Sequence, residues 1–126
     1  MKIIGLGTDI TEVDRISSLL TARGDRFRER ICSAEELLAA AGRMEQAAFF
    51  AGRWAAKEAA AKALGCGIGK ECALTDIIIL NNSSGAPEMH FAGAAAARAA
   101  AIGVKEISLS ISHEARFAVA TVILCG

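Results

Sequence analysis

Phe49-Phe50-Ala51-Gly52-Arg53-Trp54-Ala55-Ala56-Lys57-Glu58-Ala59-Ala60-Ala61-Lys62-Ala63-Leu64-Gly65 reads as one helix, and its composition decides how the chain can fold. At about 100° per residue, Ala55, Ala56, Ala59, Ala60 and Ala63 fill one broad face with small side chains. Such a face packs closely, and a sheet is the expected partner. Glu58 and Lys62 lie four apart, and Arg53 and Lys57 form a second four-spaced pair beside them. Trp54 and Phe50 sit between the charged stripes. Two readings of the charged side are open. One is a solvated helical ion pair worth about 0.2–0.5 kcal/mol. The other is a site for an anion plus a metal, with one carboxylate among three cations.

Outward toward the N-terminus, the helix begins near Met44 and is preceded by a short one that starts at Ser33 and ends near Gly42. Ser33 with Glu36 completes a capping box. Residues 25–32 form a basic segment with one exposed or half-buried phenylalanine, Phe27. Before it, Thr11 is the expected N-cap of a helix with Glu12 and Asp14 in its first turn, a buried stripe of Val13, Ile16 and Leu20, and a stop at Gly24. Lys2–Ile10 is a strand. Gly5 and Gly7 bring its backbone close to something or bend it. Asp9 follows, either a cap or turn residue or a carboxylate ligand at the end of a buried strand.

Outward toward the C-terminus, Gly65-Cys66-Gly67-Ile68-Gly69 is either a helix C-cap and turn or a loop whose backbone N–H groups approach phosphate. Leu74–Leu80 is a strand, Asn81–Gly85 a turn, and Pro87 opens a second strand ending at Phe91. Residues 93–102 form an alanine-rich helix. Ile107, Leu109 and Ile111 then alternate with Ser108, Ser110 and Ser112, His113–Arg116 turns the chain, and Phe117–Leu124 closes a hairpin. With no repeat and no linker, residues 1–126 are expected to form one α+β domain, a largely antiparallel sheet packed against a long central helix.

The formal net charge is zero, which argues against non-specific nucleic-acid binding. Charge is uneven, however: Arg15, Arg23, Arg26, Arg28 and Arg30 crowd one region, either as solubilising surface or as a dock for an acidic partner. Four cysteines make no CxxC pair and only two histidines are present, so zinc-ligand spacing is absent and buried free thiols are expected. No apolar run is long enough to cross a bilayer and no signal peptide is visible, which reads as a soluble, cytoplasmic protein.

Two segments fit together: Gly5-Leu6-Gly7-Thr8-Asp9, and Trp54 through Lys62 with Lys57-Glu58 inside it. They resemble the paired signatures of the 4′-phosphopantetheinyl transferases, a G-x-D strand end followed by an aromatic-x-x-K-E-x-x-x-K helix. The likeness runs over nearly the whole chain and includes the Gly-Cys-Gly-Ile-Gly loop, Gly85-Ala86-Pro87 and Ser110-Ile111-Ser112-His113. It is closest to the group that acts on acyl carrier proteins in fatty acid biosynthesis. The one departure is Trp54, where phenylalanine is more usual.

The resemblance implies transfer of the 4′-phosphopantetheine arm from coenzyme A to a serine of an apo acyl carrier protein, with release of adenosine 3′,5′-bisphosphate. It implies Asp9 and Glu58 as ligands of Mg2+, and Lys62 as the group that reaches the phosphates and stabilises the leaving group. The serine proton would go to Glu58 or to a metal-held water. Lys57 matches the motif, with a structural role in pairing or packing also open. Arg53, Gly65, Asn82, Gly85, Pro87 and His113 resemble nucleotide contacts, some supplied by a neighbouring subunit; alone, His113 would be a turn residue and Arg53 a solvated arginine. Arg15, Leu19, Arg23, Arg26, Phe27 and Arg28 would receive the acidic carrier protein. A homotrimer with sites between subunits is implied. Without the paired signatures, the same residues would also suit a metal-dependent phosphohydrolase or a non-catalytic binding module.

Overall fold

The alanine face of the long helix α4 (Gln46–Ala63) lies directly on strand β1 (Ile3–Glu12), and two glycines permit that approach. A Cβ added at Gly5 would land on the carbonyl oxygen of Ala63, and one at Gly7 on that of Ala59. The G-x-G pattern is therefore a seat for the helix backbone, not a bend. Gly7→Ala should lower stability by about 1–3 kcal/mol through overpacking. Urea unfolding reads this directly, and an unchanged midpoint would mean that the helix is not seated there.

A computed structural model describes all 126 residues. After β1 come α1 (Val13–Arg23), α2 (Asp25–Ile31) and α3 (Ala34–Ala40), then α4. A short 3₁₀ turn at Leu74–Asp76 leads into β2 (Ile77–Asn81), β3 (Pro87–Phe91), α5 (Gly93–Ala101), β4 (Glu106–His113) and β5 (Phe117–Cys125). The main sheet has the order β1-β5-β4, and β2-β3 is a separate hairpin; all pairings are antiparallel.

Alternation along the strands divides the main sheet. Ala118, Ala120, Val122 and Leu124 are buried toward α4, with Ile107, Leu109 and Ile111 of β4 on the same side. The opposite face carries Leu6, Ile10 and Val119, all exposed, beside the serines of β4. Ile77, Ile79 and Met89 attach the hairpin to the same core. A second apolar cluster gathers Val13, Ile16, Phe27, Ile31 and Phe50 where α1 and α2 cover the start of α4.

Local signals behave as expected at several ends. Ser33 and Glu36 form the capping box, and Gly24 stops α1. Gly65 closes α4 with φ +80°, a conformation that favours glycine. Arg98 of α5 donates to the Leu64 carbonyl at 3.0 Å, satisfying an end group of the helix. All four cysteines are free. Burial pushes the Cys32 thiol up to about 11 and the Cys72 thiol up to about 12, so both are neutral groups at pH 7.

Two expectations are corrected. Thr11 is not a helix cap: β1 continues through Glu12, and Thr11 is buried with its hydroxyl turned to Asp9. Residues 25–31 form a true helix, and Phe27 is buried rather than exposed, stacked on Trp54 with ring centroids 6.0 Å apart.

Candidate active site

Between Phe50 and Leu64, α4 leaves only Trp54, Glu58 and Lys62 uncovered, each four residues from the next. They form a single stripe along one edge of an otherwise buried helix. Strand β1 runs beneath, and the face that carries Gly5 and Gly7 carries Asp9 next. The glycines bring helix and strand together, and the first side chain past them is a carboxylate.

Lys62 Nζ donates to the Thr8 carbonyl at 3.0 Å and to Asp9 Oδ1 at 3.2 Å. Thr11 Oγ1 donates to Asp9 Oδ2 at 3.0 Å. Partial burial raises the Glu58 pKa, and the negative charge of Asp9 raises it further; Lys62 and Arg15 pull the other way. Asp9, Glu58, Lys62 and Arg15 therefore share one electrostatic neighbourhood, drawn from β1, α4 and α1. Arg15 is held over the Trp54 ring, 5.7 Å from its centroid, and Phe27 supports the other partner of that stack.

This coupling has a measurable consequence. Asp9→Asn should lower the Glu58 pKa by removing the like charge, and Lys62→Met should raise it. Carboxyl carbon NMR titration follows both; a Glu58 signal indifferent to Asp9→Asn would separate the two carboxylates.

The donor set suits one kind of ion. No cluster of three or more His, Cys, Asp or Glu could hold a metal on protein groups alone. Two carboxylates with no soft ligand fit Mg2+, which keeps water and takes substrate phosphate oxygens for its remaining positions. Asp9 and Glu58 are the residues that would hold it.

Lys57, adjacent to Glu58, points the opposite way. It is fully buried; its ammonium donates to Glu36 Oε1 at 2.9 Å and to the Ile31 carbonyl. Glu36 Oε1 also accepts from the Ser33 N–H at 2.9 Å, and Oε2 accepts from the Ile79 N–H at 3.0 Å. One ion pair thus ties α4 to α2, α3 and β2. In the sequence, Glu36 reads only as a cap residue. The one available signal is the run of alanines around Lys57, Ala55, Ala56, Ala60 and Ala61.

Arg53, expected to reach nucleotide phosphates or lie in solvent, is 8 % exposed. Its guanidinium donates to Asn81 Oδ1 at 3.1 Å and lies 4.6 Å from the Phe49 centroid, with Arg43 on the same ring at 4.4 Å. Burial, then the Arg43 charge, lowers its pKa. In the single chain Arg53 braces the hairpin against α4.

Asn82 Oδ1 accepts from the Ser84 and Ala86 N–H groups and the Ser84 hydroxyl, so it organises its own turn beside Gly85 and Pro87. His113 is exposed at the end of β4 and lines a cavity of about 800 Å³ with Ser17, Thr21, Arg28 and Gln46. Neither Asp9 nor Glu58 lines that cavity. Within one chain, then, Asn82, Gly85, Pro87 and His113 make no hydrogen bond with the carboxylate pair or Lys62. Gly65 lies one turn beyond Lys62, exposed.

Of the expected docking residues, Arg15, Arg23 and Arg26 are exposed and Leu19 is half-buried. Phe27 is corrected: at 4 % exposure it cannot touch a partner. Arg28 is half-buried, paired with Asp25 at 3.3 Å and set 5.9 Å from the Phe50 centroid, so it faces the cavity.

Comparison with known proteins bears on this geometry. Residues 5–122 match the family model described as the 4′-phosphopantetheinyl transferase superfamily. A holo-[acyl-carrier-protein] synthase of Vibrio vulnificus is 46 % identical over 123 residues, covering 98 % of each chain. The crystal structure of the holo-[acyl-carrier-protein] synthase from Neisseria meningitidis superimposes with a TM-score of 0.92 at 35 % identity, over 99 % of this chain and all of that one. That from Bacillus anthracis, solved in complex with coenzyme A (3′,5′-ADP), gives a TM-score of 0.82 at 40 % identity over 97 % and 96 % of the two chains.

Proposed function

We propose that this chain, which belongs to the 4′-phosphopantetheinyl transferase superfamily, transfers the 4′-phosphopantetheine arm of coenzyme A to a serine of an apo acyl carrier protein. The observation that carries the reading is the ion pair of Lys62 with Asp9 on the uncovered edge of α4 that also carries Glu58. In the reaction, the serine oxygen forms a bond to the phosphorus that bears the arm. The pyrophosphate P–O bond to the nucleotide breaks, and adenosine 3′,5′-bisphosphate leaves. Bound by Asp9 and Glu58, Mg2+ would supply charge neutralisation at the pyrophosphate oxygens. Lys62 would bind the phosphates and offset charge on the leaving group. The serine proton would pass to Glu58 or to a water held at the metal.

Arg15, Arg23 and Arg26, with Leu19 among them, form the receiving surface for an acidic carrier protein. Phe27 contributes from beneath, by supporting the Trp54 ring under Arg15. Arg15→Glu should raise KM for the carrier about tenfold while leaving that for coenzyme A nearly unchanged. Equal effects on both substrates would remove this surface from carrier binding.

The nucleotide is assigned to Gly65, Asn82, Gly85, Pro87 and His113, with buried Arg53 bracing the hairpin that carries three of them. In one chain the Asn82–Pro87 turn and His113 make no hydrogen bond with the carboxylates or Lys62, which favours their delivery from a neighbouring copy. The exposed Leu6, Ile10 and Val119 on the outer sheet face supply apolar surface for such an assembly, a homotrimer in this reading. No helix is long and apolar enough to cross a membrane. The proposal places the enzyme in the cytoplasm, with residues 1–126 as one transferase domain serving fatty acid biosynthesis.

The test is a mass-shift assay on an apo carrier protein with coenzyme A, with and without Mg2+. A mass gain of one phosphopantetheine that requires the metal is expected. Magnesium-dependent breakdown of coenzyme A with no gain on the carrier would instead mark a phosphohydrolase.

A further inference from the structure

Both oxygens of Asp9 are already occupied from inside the chain, by two donors of very different standing. Thr11, which holds Oδ2, is 3 % exposed and fixed in strand β1. Lys62, which holds Oδ1, has a side chain 53 % exposed on a flexible stem. The ammonium has only two partners, Asp9 Oδ1 and the Thr8 carbonyl. Exposed ion pairs of this kind are weak. An ammonium on a carboxylate oxygen also fills the position, and neutralises the charge, that a divalent cation at Asp9 would use.

We propose that Lys62 is a displaceable internal counter-ion. With a divalent cation held by Asp9 and Glu58, the Lys62 ammonium would give up Oδ1 while Thr11 keeps Oδ2 in place. The released Lys62 is then free to turn to the phosphates of the substrate. Cation binding and phosphate binding are coupled through this one side chain, and the resting site is not left with two unbalanced carboxylates. Thr11 is a positioning residue in this scheme, acting through Asp9. The inference rests on the assignment of Asp9 and Glu58 as the cation ligands.

The experiment measures Mn2+ affinity by calorimetry with no coenzyme A present. Lys62→Met and Lys62→Gln should each bind Mn2+ about two- to fivefold more tightly than the unaltered protein, the factor set by loss of a weak exposed pair. Thr11→Val should bind it more weakly and Thr11→Ser should restore it. Arg15→Met is the control. The Arg15 charge also acts on Glu58, but Arg15 makes no hydrogen bond to Asp9, so displacement predicts a smaller gain than at Lys62. Lys62 variants with unchanged or weaker affinity, or an Arg15→Met gain equal to theirs, would overturn the displacement. Thr11→Val binding as tightly as the unaltered protein would overturn the role of Thr11. Asp9→Asn with undiminished Mn2+ binding would instead overturn the cation site itself, a distinct failure.

Discussion

Glu58→Gln is expected to slow arm transfer by about 10²–10³-fold, the usual cost of removing one group that stabilises developing charge. The substitution keeps the size and the helix and removes only the charge. That charge is costly to the folded state. Burial and then Asp9 raise the Glu58 pKa, so the ionised carboxylate is disfavoured at its site relative to water. For an acid with a raised folded pKa, the stability cost is present above that pKa and vanishes below the unfolded value. Glutamine never carries it. The melting temperature of Glu58→Gln should therefore hold or rise at pH 7 while activity collapses, the signature of a residue kept for function at the expense of stability. Asp9→Asn should produce a comparable loss of rate, and the double variant should be little worse than either single one, because in the proposed mechanism both groups would hold one ion. Carrier mass-shift rates and thermal unfolding of the three proteins decide this. Retained activity in either single variant would break the assignment of the pair.

The stretch 49–65 shows how much of this was legible beforehand. The alanine face announced close packing, and Gly5 and Gly7 are its other half: one side supplies small side chains, the other none at all. The alternation at 107–112 and the capping box at Ser33 were equally readable, because each is a local pattern with one physical cause. The charged residues were harder. Phe50, Trp54, Glu58 and Lys62 lie on one helical line, yet Phe50 is buried and Lys62 exposed. Spacing gives the line, but the cover comes from α1 and α2, which pack only over its N-terminal end. Arg53 and Lys57 look like a second solvated stripe by spacing and are both buried, since their partners Asn81 and Glu36 are 28 and 21 residues distant in the chain. Thr11 failed for another reason. A threonine before an acidic first turn is a common cap, and the same hydroxyl was needed instead by a carboxylate two residues earlier.

Lys57→Met should be the most destabilising single change on the helix, by about 3–5 kcal/mol against a total of about 5–15 kcal/mol for a typical domain. Removing the ammonium strands Glu36, 3 % exposed, with two N–H donors but no counter-charge, and the Ile31 carbonyl loses a donor as well. Glu36→Gln should also be severe, since it leaves a fully buried ammonium facing an amide. The pair as a whole is worth far less than either half. Two charges withdrawn from water carry a desolvation cost close to their attraction, so Lys57→Met combined with Glu36→Gln should recover a large part of the loss. Urea unfolding of the four proteins gives the coupling energy. Activity then separates structure from chemistry. Lys57 points into the α2–α3–β2 junction while its neighbour Glu58 lies on the uncovered edge of α4, so a refolded double variant should regain transfer along with stability. A double variant that is stably folded yet inactive would move Lys57 from the scaffold into the reaction.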